Sequence, residues 1–225
     1  MLWDIDGTLI RAGEVGALVF DRALERVFGL APATRVRMSG KTDPQIVREY
    51  LALMEIDHAD QHLPAILGHL EAELAAAAEM LAADGEVLPG VREVLQTLAE
   101  DPDVVQSVLT GNIAPNAVVK LSAFGLPKWL DMEVGAYGSD HADRSRLVPI
   151  ALERASRLRG WSFSPGQVWV VGDTANDLAC ARAGGARCLL VGTGRTPASE
   201  LAQLGADAVL DDLAEVDHVV ALLTT

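Results

Sequence analysis

A parallel α/β sheet wrapped by helices, with an all-helical segment inserted after its first strand, is the fold class this sequence predicts. Three observations predict it. From residue 91 onward, short apolar runs alternate with stretches of helical period. Residues 14–83 carry helical periodicity and no strand pattern. The chain opens on one more apolar run, Met1-Leu2-Trp3, which stops at a pair of aspartates, Asp4 and Asp6. Strands that read as near-continuous apolar runs belong in a parallel sheet buried on both faces. Alternating strands and helices build such a sheet.

Taken in order, residues 1–5 read as the first strand. Residues 14–30 read as a helix, with Val15, Leu18, Val19, Leu24, Val27 and Phe28 at helical spacing and Gly29 and Pro32 closing it. The loop Ser39-Gly40-Lys41-Thr42-Asp43-Pro44 follows. Thr42 or Asp43 suits an N-cap with Pro44 at the first helical position. A helix is expected to about Met54 and another over roughly 63–83. Gly85–Gly90 reads as a linker, after which the texture changes. Helices are expected at 91–100, 114–124, 147–158 and 177–183, and a last one closes the chain. Strands are expected at 104–109, 131–136, 167–171, 188–191 and 208–210. The expected organisation is a Rossmann-like core of residues 1–13 and 86–225, with helices on both faces, and a helical cap of residues 14–85.

Composition narrows the function. The chain has 225 residues, is 50% hydrophobic, and carries 18 basic against 32 acidic side chains, a formal charge of −14. Nucleic-acid binding relies on Lys and Arg neutralising phosphates, so no nucleic-acid partner is expected. A small anionic substrate remains compatible, because a metal and a few basic groups reverse the field within one cleft. No stretch reaches the ~18 uncharged apolar residues of a membrane span. Asp4 and Asp6 fall where a signal peptide needs a basic start and an apolar run, so a cytoplasmic protein is expected. Cys180 and Cys188 lie among Ala, Leu and Gly and read as two small buried side chains.

The chemistry-bearing residues fall after expected strands. Asp4 ends the first, at the edge where open α/β sheets bind ligands. Alternation along an extended chain puts Asp6 on roughly the same side. Two carboxylates this close repel unless a divalent cation compensates, and oxygen ligands at a phosphate site favour Mg²⁺. An acidic turn after an edge strand is the competing reading. Thr110-Gly111-Asn112 follows the 104–109 strand and offers a hydroxyl and free N–H groups at a helix start, a ready anion site. A plain Thr/Asn N-cap is its alternative. Asp173 leaves the 167–171 strand and Asp177 lies in the next turn, a pair able to complete a cation shell begun by Asp4. Between the Thr110 and Asp173 motifs, Asp143-Arg144-Ser145-Arg146 opens a helix. A cation there can screen a nucleophile, and the sequence does not say which arginine points inward.

Each motif alone is weak, but in a parallel sheet all of them converge on one edge. The order is DxDGT, an apolar strand ending in T-G-N, a basic residue, and an apolar strand ending in GDxxxD. In that order the chain resembles the haloacid dehalogenase-like hydrolase superfamily, especially its phosphoglycolate phosphatase-like members, over essentially its whole length. The resemblance implies that Asp4 is a nucleophile and Asp6 a general acid/base whose backbone carbonyl also ligates Mg²⁺. It implies a phosphate-binding hydroxyl at Thr110 with Gly111 and Asn112 beside it, a metal-binding Asp173, and Asp177 as its acidic partner. Three features depart from the family pattern. Arginine, at Arg144 with Arg146 as fallback, stands where lysine is usual; it keeps the charge and adds a fork suited to phosphate. Arg11 stands where many relatives are acidic. Only three residues precede Asp4, so further residues are expected before Met1.

The implied activity is Mg²⁺-dependent hydrolysis of a small phosphorylated metabolite through an aspartyl-phosphate, by a monomer or homodimer. Within the cap, Lys41 matches the loop that relatives use for substrate selection, with a solvated loop lysine as its alternative. Asp6 argues against dehalogenation, because a halide leaves without a proton. A β-phosphoglucomutase-type phosphomutase and a catalytically idle binding module on the same fold are the competing functions. The intact set Asp4, Asp6, Thr110 and Asp173 counts against the idle module.

Overall fold

The computed structural model describes residues 1–225. The elements are β1 (Leu2–Trp3), β2 (Ile10–Arg11), α1 (Val15–Phe28), α2 (Asp43–Leu53), α3 (Ala59–Ala76), α4 (Ala78–Asp84), β3 (Glu86–Val87), α5 (Val91–Ala99), β4 (Ser107–Val108), α6 (Ala114–Ala123), α7 (Leu147–Arg159), β5 (Trp169–Gly172), α8 (Ala175–Ala183), β6 (Arg187–Val191), α9 (Ala198–Leu201), β7 (Ala208–Leu210) and α10 (Val216–Leu223). Five strands form one parallel sheet in the order β4-β1-β5-β6-β7. β1 is therefore an interior strand beside the central β5, with Leu2 opposite both Ser107 and Val170.

The period of two along each strand explains the layers. Trp3, Val108, Val171, Leu189 and Val191 face one apolar cluster with α5, α6 and α10. Leu2, Leu109, Val170, Cys188 and Leu190 face the other, with α7 and α8. Both faces are covered, which is why these strands are apolar throughout rather than alternating. Cys180 and Cys188 are free and buried in the second cluster, as their surroundings suggested.

Helices α1–α4 pack a third cluster of their own, built on Val19, Phe20, Leu24, Tyr50, Leu70 and Leu74, to which the core contributes Ile113. The two passages between this helical segment and the sheet run side by side. β2 and β3 pair antiparallel, Ile10 opposite Val87 and Arg11 opposite Glu86, and the Arg11 and Glu86 side chains form an ion pair. Nothing in either short stretch marks it as a strand by itself, and only their juxtaposition makes a ladder.

Several boundaries differ from expectation. The segment expected as one helix over 63–83 begins earlier, at Ala59, and breaks at Ala77 into α3 and α4. Its start was obscured by Pro64, which sits inside α3 rather than in its first turn. No strand forms at 131–136. The Asp131 carboxylate accepts from the Glu133 N–H and turns the chain, while only Ala136 bridges to Leu109. Strand 104–109 contracts to Ser107–Val108, because the Asp101 side chain and carbonyl take the Asp103 and Val104 N–H groups in a turn. Thr42 is the N-cap of α2, its hydroxyl accepting from the Gln45 N–H. No helix is long and apolar enough to cross a membrane.

Candidate active site

The acidic centre forms where three strands of the sheet end. Asp4 follows β1, its N–H bonded to the Val171 carbonyl of β5 at 2.9 Å. Its side chain is only 6% exposed. Asp173 follows β5 and is also buried. Thr110 follows the edge strand β4 and is fully enclosed. Oxygens of Asp4, Asp173 and Asp177 lie within 4.8 Å of one another.

One cation answers this cluster. Arg144 opens a short 3-10 turn, Arg144–Arg146, capped by the Asp143 carboxylate, which accepts from the Ser145 N–H. That cap and the packing of Leu147 and Val148 beneath it drive Arg144 inward. Its Nη2 lies 2.9 Å from Asp4 Oδ1 and also binds Asp177 Oδ1. Arg146 is exposed, so burial puts Arg144, the position the resemblance favoured, at the centre and leaves the fallback in water. Asp177 has its other oxygen in a capping box at the start of α8, accepting from the Thr174 N–H at 3.0 Å and the Thr174 hydroxyl at 2.6 Å. With both oxygens engaged, Asp177 acts chiefly on Arg144, orienting the guanidinium toward Asp4.

Burial dominates the electrostatics. It pushes the Asp4 carboxyl up to about 7, against the pull of Arg144 and with help from the Asp177 charge. It pushes Asp173 up to about 8, with the Asp4 and Asp177 charges adding to the shift. Such carboxyls want a cation. The donor set fits one: Asp173 Oδ1 is buried with no hydrogen-bond partner. Backbone alone surrounds that carboxylate on two sides. A Cβ on Gly7 would come within 2.6 Å of Asp173 Oδ2, and one on Gly194 within 1.7 Å. Gly7 also has φ +89°, a conformation that side chains rarely adopt. Hard oxygen ligands in a closed cradle suit Mg²⁺.

Asp6 lies on the turn between β1 and β2, where the Gly7 N–H meets the Ile10 carbonyl at 2.8 Å. Its carboxylate accepts from Asn112 Nδ2 at 2.7 Å and from Lys120 Nζ at 2.6 and 2.7 Å. Asn112 Nδ2 also donates to the Thr110 hydroxyl at 2.8 Å, which ties the T-G-N turn to Asp6. Lys120 was not found by sequence reasoning. It sits on α6, 114 residues from Asp6 in the chain, and is 7% exposed. Its one local signal is a lysine on the helix face shared with buried Ala117 and Leu121, a position that ordinarily takes an apolar residue.

The loop before α2 closes over this edge. Asp43 N–H donates to the Gly111 carbonyl at 2.7 Å, and its carboxylate accepts from the Ile113 N–H at 2.8 Å. Thr42 Oγ1 donates to the Ala142 carbonyl at 2.6 Å, and Asn176 Nδ2 to the Gly40 carbonyl at 2.9 Å. Gly111 is required here, because a Cβ would meet the Lys41 carbonyl at 2.0 Å. Beneath the loop lies a cavity of about 780 Å³ that reaches Asp4, Asp6, Thr110, Arg144 and Asp173. Lys41 also lines it, with its ammonium paired to Glu49 of α2.

Fold and site together define a parallel α/β enzyme with an acidic centre at the C-terminal edge of its sheet. The sequence profile of the haloacid dehalogenase-like hydrolases matches residues 1–182, and the chain belongs to that family. It is similar to phosphoglycolate phosphatase 1 of Pseudomonas aeruginosa, at 29% identity over 96% of this chain and 77% of the relative. It is 30% identical to the phosphoglycolate phosphatase of Pseudomonas fluorescens over 95% of this chain and 76% of that protein. Among solved structures, a hydrolase from Pseudomonas syringae superposes with a TM-score of 0.73 at 17% identity, covering 100% of this chain and 98% of the other. That last likeness speaks to the fold alone.

Proposed function

We propose that the chain is a Mg²⁺-dependent phosphatase of a small phosphorylated metabolite, acting through a phosphoryl group carried on Asp4. The observation that carries the reading is the buried Asp4 carboxylate, held 2.9 Å from Arg144 beside Asp173 and the enclosed Thr110. The curated relatives named as phosphoglycolate phosphatases support it.

Asp4 Oδ attacks phosphorus, and the leaving oxygen departs with a proton from Asp6. Asp6 then takes a proton from the water that splits the aspartyl-phosphate. Arg144 and Thr110 hold the phosphoryl oxygens, so that an anion can approach an anion in line. Asp4, Asp173 and the Asp6 carbonyl would hold Mg²⁺, which when bound neutralises charge on the transferring group. Residues 14–85 serve as a cap that excludes bulk water, and β2 and β3 serve as its hinge. Turnover of p-nitrophenyl phosphate by the purified protein tests the reading, and its absence in the presence of Mg²⁺ contradicts it.

Chelation with EDTA is expected to remove activity, and Mg²⁺ to restore it. Metal binding needs ionised carboxylates and releases protons. In the metal-free protein, carboxyls raised to about 7 and 8 favour the folded state while protonated. That contribution is complete below the ordinary carboxylate range and is lost as pH rises through 7 to 8. The rise in melting temperature on adding Mg²⁺ is therefore expected to grow from pH 6 to pH 9. A pH-independent shift counts against these ligands.

Asp6→Asn is expected to lower kcat by ~10²–10⁴-fold through loss of the acid/base. Lys41→Ala is expected to lower kcat/KM for the preferred metabolite more than for p-nitrophenyl phosphate. Its pairing with Glu49 limits the effect to roughly tenfold, the loss of one charge-assisted contact at the low end. Equal losses on the two substrates would place Lys41 at the phosphate instead.

A further inference from the structure

Helix α6 carries two polar side chains to the cavity that the chemistry above does not use directly. Asn116 and Lys120 are four residues apart and share one face. Both line the cavity. Lys120 binds both Asp6 oxygens. Asn116 is 3% exposed, and its Oδ1 has no hydrogen-bond partner. A buried amide oxygen without a partner is costly, and native structures seldom keep one without a use.

Position says what these groups face. Asp6 gives its proton to the leaving oxygen, and Lys120 is one hydrogen bond beyond Asp6. The Lys120 ammonium thus lies about two hydrogen-bond lengths, roughly 5–6 Å, from that oxygen. A hydroxyl on the carbon next to the ester, itself roughly 3–4 Å from the leaving oxygen, falls one hydrogen-bond length short of that ammonium. The inference rests on the phosphatase reading and adds the leaving group to it.

We propose that Asn116 and Lys120 form the subsite that reads the leaving group, and that the group it takes is a hydroxyl on the carbon next to the ester. A hydroxyl donates to Asn116 Oδ1 and accepts from Lys120 Nζ, so one group answers both side chains. A carboxylate in that place accepts from Lys120 but has no proton for Oδ1. An alkyl group serves neither. The substrate class is a hydroxylated phosphate ester, a polyol or sugar phosphate, rather than a phosphorylated simple acid.

The test is kcat/KM of the wild-type protein on 2-hydroxyethyl phosphate, ethyl phosphate and 2-phosphoglycolate. The first two differ by one hydroxyl. A preference of ~10–100-fold for 2-hydroxyethyl phosphate over each of the others is expected, as for a site built to hydrogen-bond a substrate hydroxyl. Asn116→Leu should bring the 2-hydroxyethyl/ethyl ratio near unity. Asn116→Ser, which restores a smaller acceptor, should recover part of it. Turnover without a hydroxyl preference, faster turnover of 2-phosphoglycolate, or a preference that survives Asn116→Leu overturns the subsite while leaving the phosphatase reading standing. If no ester is hydrolysed, p-nitrophenyl phosphate included, the phosphatase reading itself fails and the subsite with it. The wild-type comparison decides the matter even if the leucine variant does not fold.

Discussion

Asp4→Asn abolishes turnover of every phosphate ester and leaves the protein folded. The amide has the shape of the carboxylate and keeps an acceptor for Arg144, whose Nη2 is 2.9 Å from Asp4 Oδ1. What it lacks is the charge and the nucleophilic lone pair. The fold is not expected to suffer, because burial already pushes the native carboxyl up to about 7 and a neutral group is at home there. Losing a covalent nucleophile typically costs roughly four orders of magnitude or more in kcat. The decisive measurements are steady-state turnover, thermal denaturation and acid-quench trapping of phosphorylated protein. Wild-type protein should carry acid-stable, hydroxylamine-labile phosphate, and the variant none. A folded Asp4→Asn protein that retains a tenth of the turnover would end the nucleophile assignment.

Arg144→Met costs both stability and activity. The guanidinium stands between Asp4 and Asp177, and all three side chains are buried. Removing the shared cation strands two carboxylates away from water. Breaking one member of a buried ion pair costs ~3–5 kcal/mol. For a chain of this length that corresponds to a fall in melting temperature of roughly 6–20 °C. Arg144→Lys keeps the charge, but its shorter, more strongly hydrated ammonium must reach the place of the single guanidinium nitrogen, Nη2, that meets both Asp4 and Asp177, so it should recover only part of the loss. Adding Asp177→Asn to Arg144→Met removes one stranded charge and should restore stability without restoring turnover. That split separates the two roles of the arginine, since stability follows the charge balance and catalysis needs the cation at Asp4. If Arg144→Met melts like the wild type, the buried triad is not what holds the strand ends together.

The parallel sheet, the helical insertion and the strand ends that carry Asp4, Thr110 and Asp173 are all legible in the amino-acid sequence. These are local properties. A strand buried on both faces is an apolar run, and the first polar residue after it stands at the sheet's edge. Which side chains meet depends instead on long-range packing. Periodicity does not say whether Arg144 or Arg146 points inward, although the family resemblance favours Arg144, and packing of the 3-10 turn against α8 buries Arg144 and leaves Arg146 in water. Asp177 stood beside Asp173 as a second acidic partner, yet its oxygens are taken by Arg144 and by the α8 cap. Lys120 and Asn116 lie in a helix that reads as ordinary, and the place of Lys120 beside Asp6 and of Asn116 in the cavity depends on how α6 packs against Trp3 and Val108. The same reason accounts for residues 131–136 and for β2 with β3. A strand is defined by its partner, and a partner 75 residues away, as Glu86 is from Arg11, leaves no trace in the local pattern.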